Sequence, residues 1–241
     1  MDKLKSESRF FVEWTYTETM NYTAIVLAAG KGCRSHLSYN KVLFPYQGQP
    51  ILQKSLDLFE SDPDCTQIVV VCAREELADF KARFANSKTL FTIGGKTRQN
   101  SVFNGLNCTK EPYVLIHDGA RPFASIQLIE RLKKAVVDYE AVVPGVEVVD
   151  TIKEIDDKGF FVCTPMRDHL RAVQTPQAFK TVLVKEALRR AIEEGVLVSD
   201  DAMAVELFKR KKSYCVPGEL ANFKVTTPQD LERLTEVKEE A

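Results

Sequence analysis

The stretch "TAIVLAAGKGCRSHLSYNK", Thr23 to Lys41, begins as a continuous apolar run and turns into a segment rich in small and basic residues. A continuous apolar run is typical of a strand that is buried on both faces. The segment after it lacks the phosphate-loop pattern G-x-x-x-x-G-K-[ST], and Ser35 stands where a dinucleotide fingerprint has its third glycine. Small residues still let backbone N–H groups approach phosphate oxygens. The stretch therefore predicts a phosphate site of a third kind, and the alternative is an ordinary glycine-rich turn.

The rest of the chain alternates apolar strand patterns with helical ones. Strands are predicted over 23–29, 67–73, 89–95, 113–119 and 141–148, and helices over 50–59, 75–85, 99–108 and 125–139. This alternation predicts an α/β fold with a doubly wound, mostly parallel sheet covered on both faces. Ligands of such sheets bind beyond the carboxyl ends of the strands. The loops "GKGCR", "GGKTRQNS" and "HDGARP" lie there, so we expect them to face one crevice.

The pattern changes after the fifth strand. Residues 147–165 alternate around a "DDKG" turn, which predicts a β-hairpin that leaves the main sheet as an arm. Phe160, Phe161 and Val162 on such an arm would form an apolar patch for a partner subunit. The alternative is a hairpin packed on its own domain. Further on, we expect Ser199 to cap a helix, Lys224 to lie in a short strand, and Thr227-Pro228 to open the last helix.

Composition excludes several classes of protein. The 241 residues carry a net charge of −1, which gives no field for nucleic acid or an anionic membrane. No apolar span is long enough to cross a membrane, and the three histidines lack zinc-ligand spacing. The six cysteines form no C-x-x-C pair and read as reduced, mostly buried thiols of a cytoplasmic protein. Residues 22–241 predict one domain, after an extension (1–21) that is either dispensable or a partner-binding tail.

Candidate chemistry comes from basic residues, glycines and one carboxylate rather than from a nucleophile. Asp118 can orient a ligand hydroxyl or hold Mg²⁺, directly or through water. Arg121 can clamp a phosphate or merely pair with Asp118 to fix the loop. Gly95 and Ser101 can read a base or sugar edge. Because no Ser-His-Asp triad or catalytic cysteine stands out, the pattern favours phosphoryl-group chemistry by positioning and electrostatics.

The ordered motifs "LAAGKGCR", "GGKTRQNSV", "HDGARPF", "DTIK", "TPQAF", "SDDA" and "FKVTTPQDL" together resemble the 2-C-methyl-D-erythritol 4-phosphate cytidylyltransferases. The resemblance implies a nucleotide-diphospho-sugar transferase-like fold and a homodimer with exchanged β-arms. It also implies that CMP passes from CTP to a sugar-alcohol phosphate, with Mg²⁺ as cofactor and pyrophosphate as product. The related ribitol-5-phosphate cytidylyltransferases are the alternative, and "DGARP" rather than "DAVRP" favours the first family. A non-catalytic nucleotide-binding protein is disfavoured because the basic residues are present.

The resemblance also implies a role for individual residues. Catalytic roles fall to four cations: Arg34 and Lys41 would stabilise charge on the α-phosphate, whereas Arg167 and Lys224 would hold the acceptor and orient its phosphate for in-line attack. The triphosphate would be wrapped by Ala28, Ala29, Gly30 and Gly32, and the cytosine and ribose would be held near Gly95, Arg98 and Ser101. The two substrates would meet at Asp118, Gly119 and Arg121, and Thr151, Thr175 and Ser199 would line the acceptor pocket. The chain departs from the usual family pattern at Ser35, Val42, Lys96, Arg171 and Ser199.

Overall fold

The computed structural model describes residues 20–30 and 35–236. The strands are β1 (Tyr22–Leu27), β2 (Pro45–Tyr46), β3 (Gln49–Pro50), β4 (Cys65–Cys72), β5 (Thr89–Ile93), β6 (Tyr113–Asp118), β7 (Ala141–Glu147), β8 (Glu154–Ile155), β9 (Phe161–Cys163), β10 (Arg171–Val173), β11 (Gln177–Lys180) and β12 (Tyr214–Pro217). The helices are α1 (Ile51–Ser61), α2 (Leu77–Phe84), α3 (Arg98–Leu106), α4 (Ile126–Tyr139), α5 (Thr181–Glu193), α6 (Asp201–Lys209) and α7 (Pro228–Glu236). Short 3-10 turns cover 41–43, 74–76 and 167–169.

The central sheet has eight strands. Seven follow the order β10-β7-β11-β6-β1-β4-β5, and the eighth, β12, pairs with β7 outside this path. Strands β5, β4, β1, β6, β7 and β12 run parallel, and β10 and β11 run against them. The predicted α/β fold with a mainly parallel sheet is therefore confirmed. The predicted strands end one or two residues too late: regular pairing ends at Leu27, Ile93 and Asp118, and only single backbone hydrogen bonds, such as that from Ala28 to Val71, continue beyond them.

Helices cover both faces of the sheet. Alternate residues of β1 point to opposite sides, so Ala24 and Val26 pack with one set of helices and Ile25 with the other. The first core contains side chains of α1, α2, α4 and α7, and the second contains those of α3, α5 and α6. Two covered faces require apolar residues at every strand position, which is why the strands read as continuous apolar runs.

Strands β10 and β11 form one broken antiparallel excursion along β7. Val173 pairs with Gly145 and Ala178 pairs with Val142, and the cis peptide bond Thr175–Pro176 lies between the two strands. No local pattern predicts that the chain resumes here as β11 and separates β6 from β7. Thr175 lies at the end of β6, where its hydroxyl accepts from the N–H of Asp118 at 3.0 Å.

The predicted arm is confirmed as a separate hairpin of β8 and β9, closed by a turn with Gly159 at φ +89°. Its apolar side chains point outward: Phe160, Phe161 and Val162 are 68%, 70% and 61% exposed. The hairpin does not pack on its own domain, so the alternative interpretation is wrong. The first 19 residues lie outside the described part of the chain.

Three local expectations are wrong. Asp200, not Ser199, caps α6, since its carboxylate accepts from the backbone N–H of Met203 at 2.9 Å. Lys224 lies in an irregular segment rather than a strand; the neighbouring Val225 N–H donates to the carbonyl of Ala120, and the next residue, Thr226, donates its N–H to the Asp230 carboxylate. The thiols are not mostly buried: among the described cysteines Cys65 and Cys72 are buried, whereas Cys163 and Cys215 are exposed. The predicted opening of α7 at Pro228 is confirmed.

Candidate active site

A cavity of about 500 Å³ opens at the carboxyl ends of β1, β5 and β6. The three loops that the sequence placed at this edge all reach it, as expected for parallel strands. Predicted site residues that line it are Ala29, Gly30, Lys41, Gly95, Arg98, Ser101, Asp118 and Lys224. Lys96 and Thr97 line it as well, although the sequence analysis assigned them no role there.

The loop after β1 forms the part of the cavity wall next to Lys41. Ala28 is buried, and its N–H donates to the carbonyl of Val71 at 2.8 Å, which extends the sheet by one residue. Ala29 and Gly30 then line the cavity. Lys41 follows in the short turn 41–43, which Asn40 caps with its side chain. Gly32 and Arg34 lie outside the described residues, so their predicted contacts with the triphosphate stay predictions.

The loop after β5 is shaped by a helix cap and a glycine. Thr97 caps α3 by accepting from the N–H of Asn100. The Ser101 hydroxyl donates to the carbonyl of Thr97 and accepts from the N–H of Gly95, each at 3.0 Å. Ser101 therefore fixes the shape of this loop and keeps only one lone pair for a ligand. A Cβ on Gly95 would lie 2.4 Å from the Cβ of Asn100, so the close approach requires glycine.

Four charged side chains alternate in sign across the cavity floor. The Lys224 ammonium lies 2.7 Å from Oδ2 of Asp118, and Nε of Arg98 lies 3.5 Å from Oδ1 of the same carboxylate. The two terminal nitrogens of Arg98 donate to both oxygens of Asp201 at 3.0 and 2.9 Å. The row joins β6, α3, α6 and the segment before α7, so it fixes the geometry of four chain segments at once.

These contacts set the ionisation of the row. Burial alone would raise the pKa of Asp118, but the charges of Arg98 and Lys224 outweigh burial and hold its pKa well below the usual range. Asp118 is therefore a carboxylate at any physiological pH. Burial raises the pKa of Asp201, which is fully buried, and the bidentate contact with Arg98 opposes that rise. Asp201 was missed as a site residue although it belongs to the quoted "SDDA" motif.

Beneath the floor, a buried hydrogen-bond chain supports the end of β6. Nε2 of His117 lies 3.0 Å from the carbonyl of Arg121, which can only accept, so Nε2 carries the proton. Burial lowers the pKa of His117 to about 4, so the ring is neutral and its Nδ1 accepts from the Thr175 hydroxyl at 3.2 Å. The same hydroxyl accepts from the N–H of Asp118 at 3.0 Å. Thr175 thus holds Asp118 from behind and does not line the cavity.

Several other predicted residues lie outside the cavity. Gly119 lies between the end of β1 and α1. A Cβ on this residue would lie 2.9 Å from Cδ1 of Leu52 on α1. Arg121 donates to the carbonyl of Asn222 at 2.7 Å and so ties the loop after β6 to the segment that carries Lys224. The contact fixes the loop through a backbone carbonyl rather than through the predicted pair with Asp118, and the phosphate clamp stays a prediction. Ser199 is exposed, with its hydroxyl 3.4 Å from the sulfur of Met203.

Thr151 and Arg167 stand at the base of the arm and do not line the cavity of their own chain. Both are exposed, and Nη1 of Arg167 donates to the carbonyl of Val149 at 2.9 Å. The sequence put both residues in the acceptor pocket, yet a single chain does not bring them there.

A basic crevice at the carboxyl ends of a doubly wound sheet, with one ionised carboxylate and no covalent nucleophile among its described lining residues, defines a nucleotidyltransferase. Residues 22–237 match the family of 2-C-methyl-D-erythritol 4-phosphate cytidylyltransferases. The chain is 45% identical over 218 residues to the enzyme of that name from Geobacillus kaustophilus, covering 88% of this chain and 94% of the relative. The corresponding enzyme from Clostridium perfringens is 41% identical over 213 residues, covering 86% and 94%.

Solved structures agree with these relatives. The crystal structure of 4-diphosphocytidyl-2C-methyl-D-erythritol synthase from Anaerococcus prevotii has a TM-score of 0.81 at 29% identity, over 92% of this chain and 97% of that one. The cytidylyltransferase structure from Thermus thermophilus has a TM-score of 0.72 at 30% identity, over 89% and 97%. The chain belongs to the 2-C-methyl-D-erythritol 4-phosphate cytidylyltransferase family, and it is a cytidylyltransferase of non-mevalonate isoprenoid biosynthesis. This membership confirms the predicted activity over the ribitol-5-phosphate alternative. Within the described residues, no helix has the length and apolar character needed to span a bilayer.

Proposed function

We propose that CMP transfer takes place in the 500 Å³ cavity, with Lys41 stabilising charge on the α-phosphate of CTP and Lys224 orienting the phosphate of the acceptor. The observation that carries this proposal is that both lysines line one cavity with the backbone of Ala29 and Gly30 and the carboxylate of Asp118. Both substrates are anions, so the site must first offset their mutual repulsion. Arg34 is proposed as a further cation on the same loop.

The acceptor needs no general base. Its phosphate monoester has a second pKa of about 6 and is already mostly ionised at neutral pH. Attack of this oxygen on the α-phosphorus of CTP forms the new P–O bond, and the bond to the β-phosphate oxygen breaks to release pyrophosphate. The enzyme then has to orient the two phosphates in line and stabilise the extra negative charge, a task for fixed cations. Among the described lining residues, the one carboxylate, Asp118, is paired with Lys224 and Arg98, which fits a reaction that needs no general base.

The donor set of the cavity suits Mg²⁺. Asp118 is the one carboxylate among the lining residues that the structure describes, and no cluster of three metal-ligating side chains occurs among described residues. Magnesium commonly takes one or two carboxylates and completes its shell with water and substrate phosphates. Asp118 would therefore hold the ion together with the triphosphate, and the bound ion would neutralise phosphate charge.

The nucleoside is proposed to lie against the loop after β5. The backbone of Gly95 and the neighbouring Thr97 and Lys96 line the cavity there, and Ser101 fixes the loop from below. The N–H of Gly95 donates to Ser101, so its carbonyl is the group that can approach a base edge closely, since no side chain intervenes at a glycine.

A homodimer is proposed to complete the acceptor pocket. Thr151 and Arg167 lie at the base of an exposed arm whose tip carries Phe160, Phe161 and Val162. Burying these apolar side chains against a second copy would bring the base of each arm towards the partner's cavity.

We further propose a cytoplasmic location, supported by the exposed and unpaired thiols of Cys163 and Cys215.

The experiment is pyrophosphate release from CTP, run in parallel with 2-C-methyl-D-erythritol 4-phosphate and ribitol 5-phosphate. Release is expected with the first acceptor only, and it should stop when EDTA removes divalent cations. An Asp118→Asn variant should need more Mg²⁺ for half-maximal rate than the wild type. An unchanged Mg²⁺ dependence in that variant would remove Asp118 as the metal ligand.

A further inference from the structure

Asn40, directly before Lys41, has a buried side chain with three hydrogen bonds. The residue is 7% exposed. Its Nδ2 donates to the carbonyl of Ala28 at 2.6 Å and to a carboxylate oxygen of Glu76 at 3.0 Å. Its Oδ1 accepts from the N–H of Val42 at 3.3 Å. Both hydrogens of the amide group and one lone pair of its oxygen are used. The opposite orientation of the amide would point its oxygen at two acceptors, the carbonyl of Ala28 and the carboxylate of Glu76, so the orientation is fixed.

The three partners belong to three different loops at the cavity edge. Ala28 ends the β1 ladder just before the cavity-lining residues Ala29 and Gly30. Val42 lies in the same short turn as Lys41, and Glu76 lies in the turn that follows β4. The Asn40 amide therefore sets the distance from the turn that carries Lys41 to the end of the central strand.

The turn itself has other supports. The N–H groups of Leu43 and Phe44 donate to the carbonyls of Asn40 and Lys41 at 2.9 and 3.0 Å. The side chain of Val42 is buried in the core next to α1. Loss of the Asn40 side chain should therefore leave a folded chain with a less precisely placed turn.

We propose that Asn40 is a positioning residue for Lys41, holding the turn against the carbonyl of Ala28 so that the ammonium meets the α-phosphate. The inference rests on the proposed role of Lys41. A lysine that acts on charge developing in the transition state is sensitive to small displacements, and a misplacement of about 1 Å can cost on the order of a hundredfold in rate. Because Lys41 is proposed to act on charge that develops in the transition state, the loss should fall on kcat rather than on KM.

The test compares Asn40→Ala and Asn40→Asp with Asn86→Ala. Asn86 offers the same kind of side-chain cap, accepting from the N–H groups of Lys88 and Thr89, but at the amino end of β5 and away from the cavity. We expect Asn40→Ala to lower kcat by about ten- to a hundredfold with KM for CTP changed less than about threefold. Asn40→Asp keeps the acceptor for the N–H of Val42 but places a carboxylate oxygen against the carbonyl of Ala28 and the carboxylate of Glu76. Its kcat should therefore fall at least as far as that of Asn40→Ala. Asn86→Ala should keep the wild-type kcat.

A double-mutant cycle separates positioning from a general loss of structure. If Asn40 acts through Lys41, then Asn40→Ala adds nothing to Lys41→Ala but still lowers kcat in a Lys224→Ala background. An equal loss in both backgrounds, or a kcat of Asn40→Ala and Asn40→Asp equal to that of Asn86→Ala, would overturn the inference. A wild-type kcat for Lys41→Ala alone would instead refute the proposed role of Lys41, and the inference with it.

Discussion

The ammonium of Lys224 and the carboxylate of Asp118 form an ion pair of 2.7 Å on the cavity floor. Each is the other's counter-ion, and Arg98 approaches the remaining carboxylate oxygen at 3.5 Å. A single carboxylate thus orders two cations that face the same cavity. The pair keeps Lys224 extended towards the position proposed for the reacting phosphates, even though the segment that carries it is irregular.

Replacing Lys224 should affect turnover far more than folding. Lys224→Ala is expected to lower kcat by at least about a hundredfold, since one cation acting on the transition state is lost. Asp118 keeps Arg98 as a partner, so the chain should still fold. Steady-state pyrophosphate release measures the effect, and Lys134→Ala, an exposed lysine on α4, is the matched control. Near-normal turnover in Lys224→Ala would contradict the proposed charge arrangement.

Stability should fall in mild acid because of His117. The ring is buried and neutral in the folded state with a pKa of about 4, whereas in the unfolded chain it has the ordinary value of about 6.5. The unfolded state therefore binds more protons between these values, and the free energy of unfolding decreases as pH falls through that window. The full effect is about 3 kcal/mol, from a difference of roughly 2.5 pK units.

Urea unfolding between pH 4 and pH 7.5 measures this dependence. His117→Gln should flatten the slope between pH 4 and pH 6.5, while His169→Gln, at an exposed position before β10, should keep the wild-type slope. A wild-type slope in His117→Gln would show that other groups cause the acid sensitivity.

Lys133 should matter for stability and not for catalysis. It lies on α4, near the amino ends of the strands and away from the cavity. Its ammonium is 3.1, 2.7 and 2.6 Å from carboxylate oxygens of Asp62, Asp64 and Glu130. Asp62 is buried and also accepts from the Tyr22 hydroxyl. Lys133→Met would leave that carboxylate without its cation, so we expect a loss of about 3–5 kcal/mol in the free energy of unfolding.

Denaturant unfolding measures this loss, and kcat of the folded fraction should not change. The double variant Lys133→Met with Asp62→Asn should recover part of the stability, because the uncompensated charge is then gone. Strictly additive losses would mean that packing, rather than charge, explains the role of Lys133.

Mixed dimers test the proposed exchange of arms. A Lys41→Ala chain has a damaged cavity but an intact arm, and an Arg167→Ala chain has the reverse. If each arm completes the partner's cavity, half the randomly mixed dimers would contain one intact site of two, and about one quarter of wild-type activity should return. Mixing should be done by refolding the two inactive chains together. Activity no higher than the sum of the separate chains would place Arg167 in its own chain's site or outside any site.

The amino-terminal segment is expected to be dispensable. A chain that starts at Met20 retains β1, whose first residue, Tyr22, is fully buried and bonded to Asp62. Deleting residues 1–19 should therefore leave kcat and the unfolding midpoint unchanged. Lost activity would favour the alternative of a functional tail.

Sequence patterns predicted the parts of this fold that depend on local chemistry. The continuous apolar runs predicted the parallel strands, and their carboxyl ends predicted where Lys41, Gly95 and Asp118 would meet. The patterns failed where position depends on distant contacts. The antiparallel insertion of β11 depends on pairing with β6 and β7, which no local period encodes. Lys224 was predicted to lie in a short strand, but its segment bonds to the loop after β6 and to Asp230 and forms no strand.

The candidate site shows the same division. Residue types and the family resemblance named the cations and Asp118, but not Asp201, which holds Arg98 from the other side. Asp201 was passed over within its motif because an acid in a first helical turn has an adequate local explanation as part of a cap. Only the fold shows that its carboxylate is fully buried and accepts hydrogen bonds from Arg98 of α3.

The crowded glycine at position 95 has a consequence for inhibitor design. Since any side chain there would collide with Asn100, a compound that hydrogen-bonds to the carbonyl of Gly95 would contact a position that cannot accept a larger residue. Resistance would have to arise at Thr97 or Lys96, whose side chains border the same space. A compound anchored on Gly95 and small enough to avoid those two side chains would leave the enzyme few routes of escape.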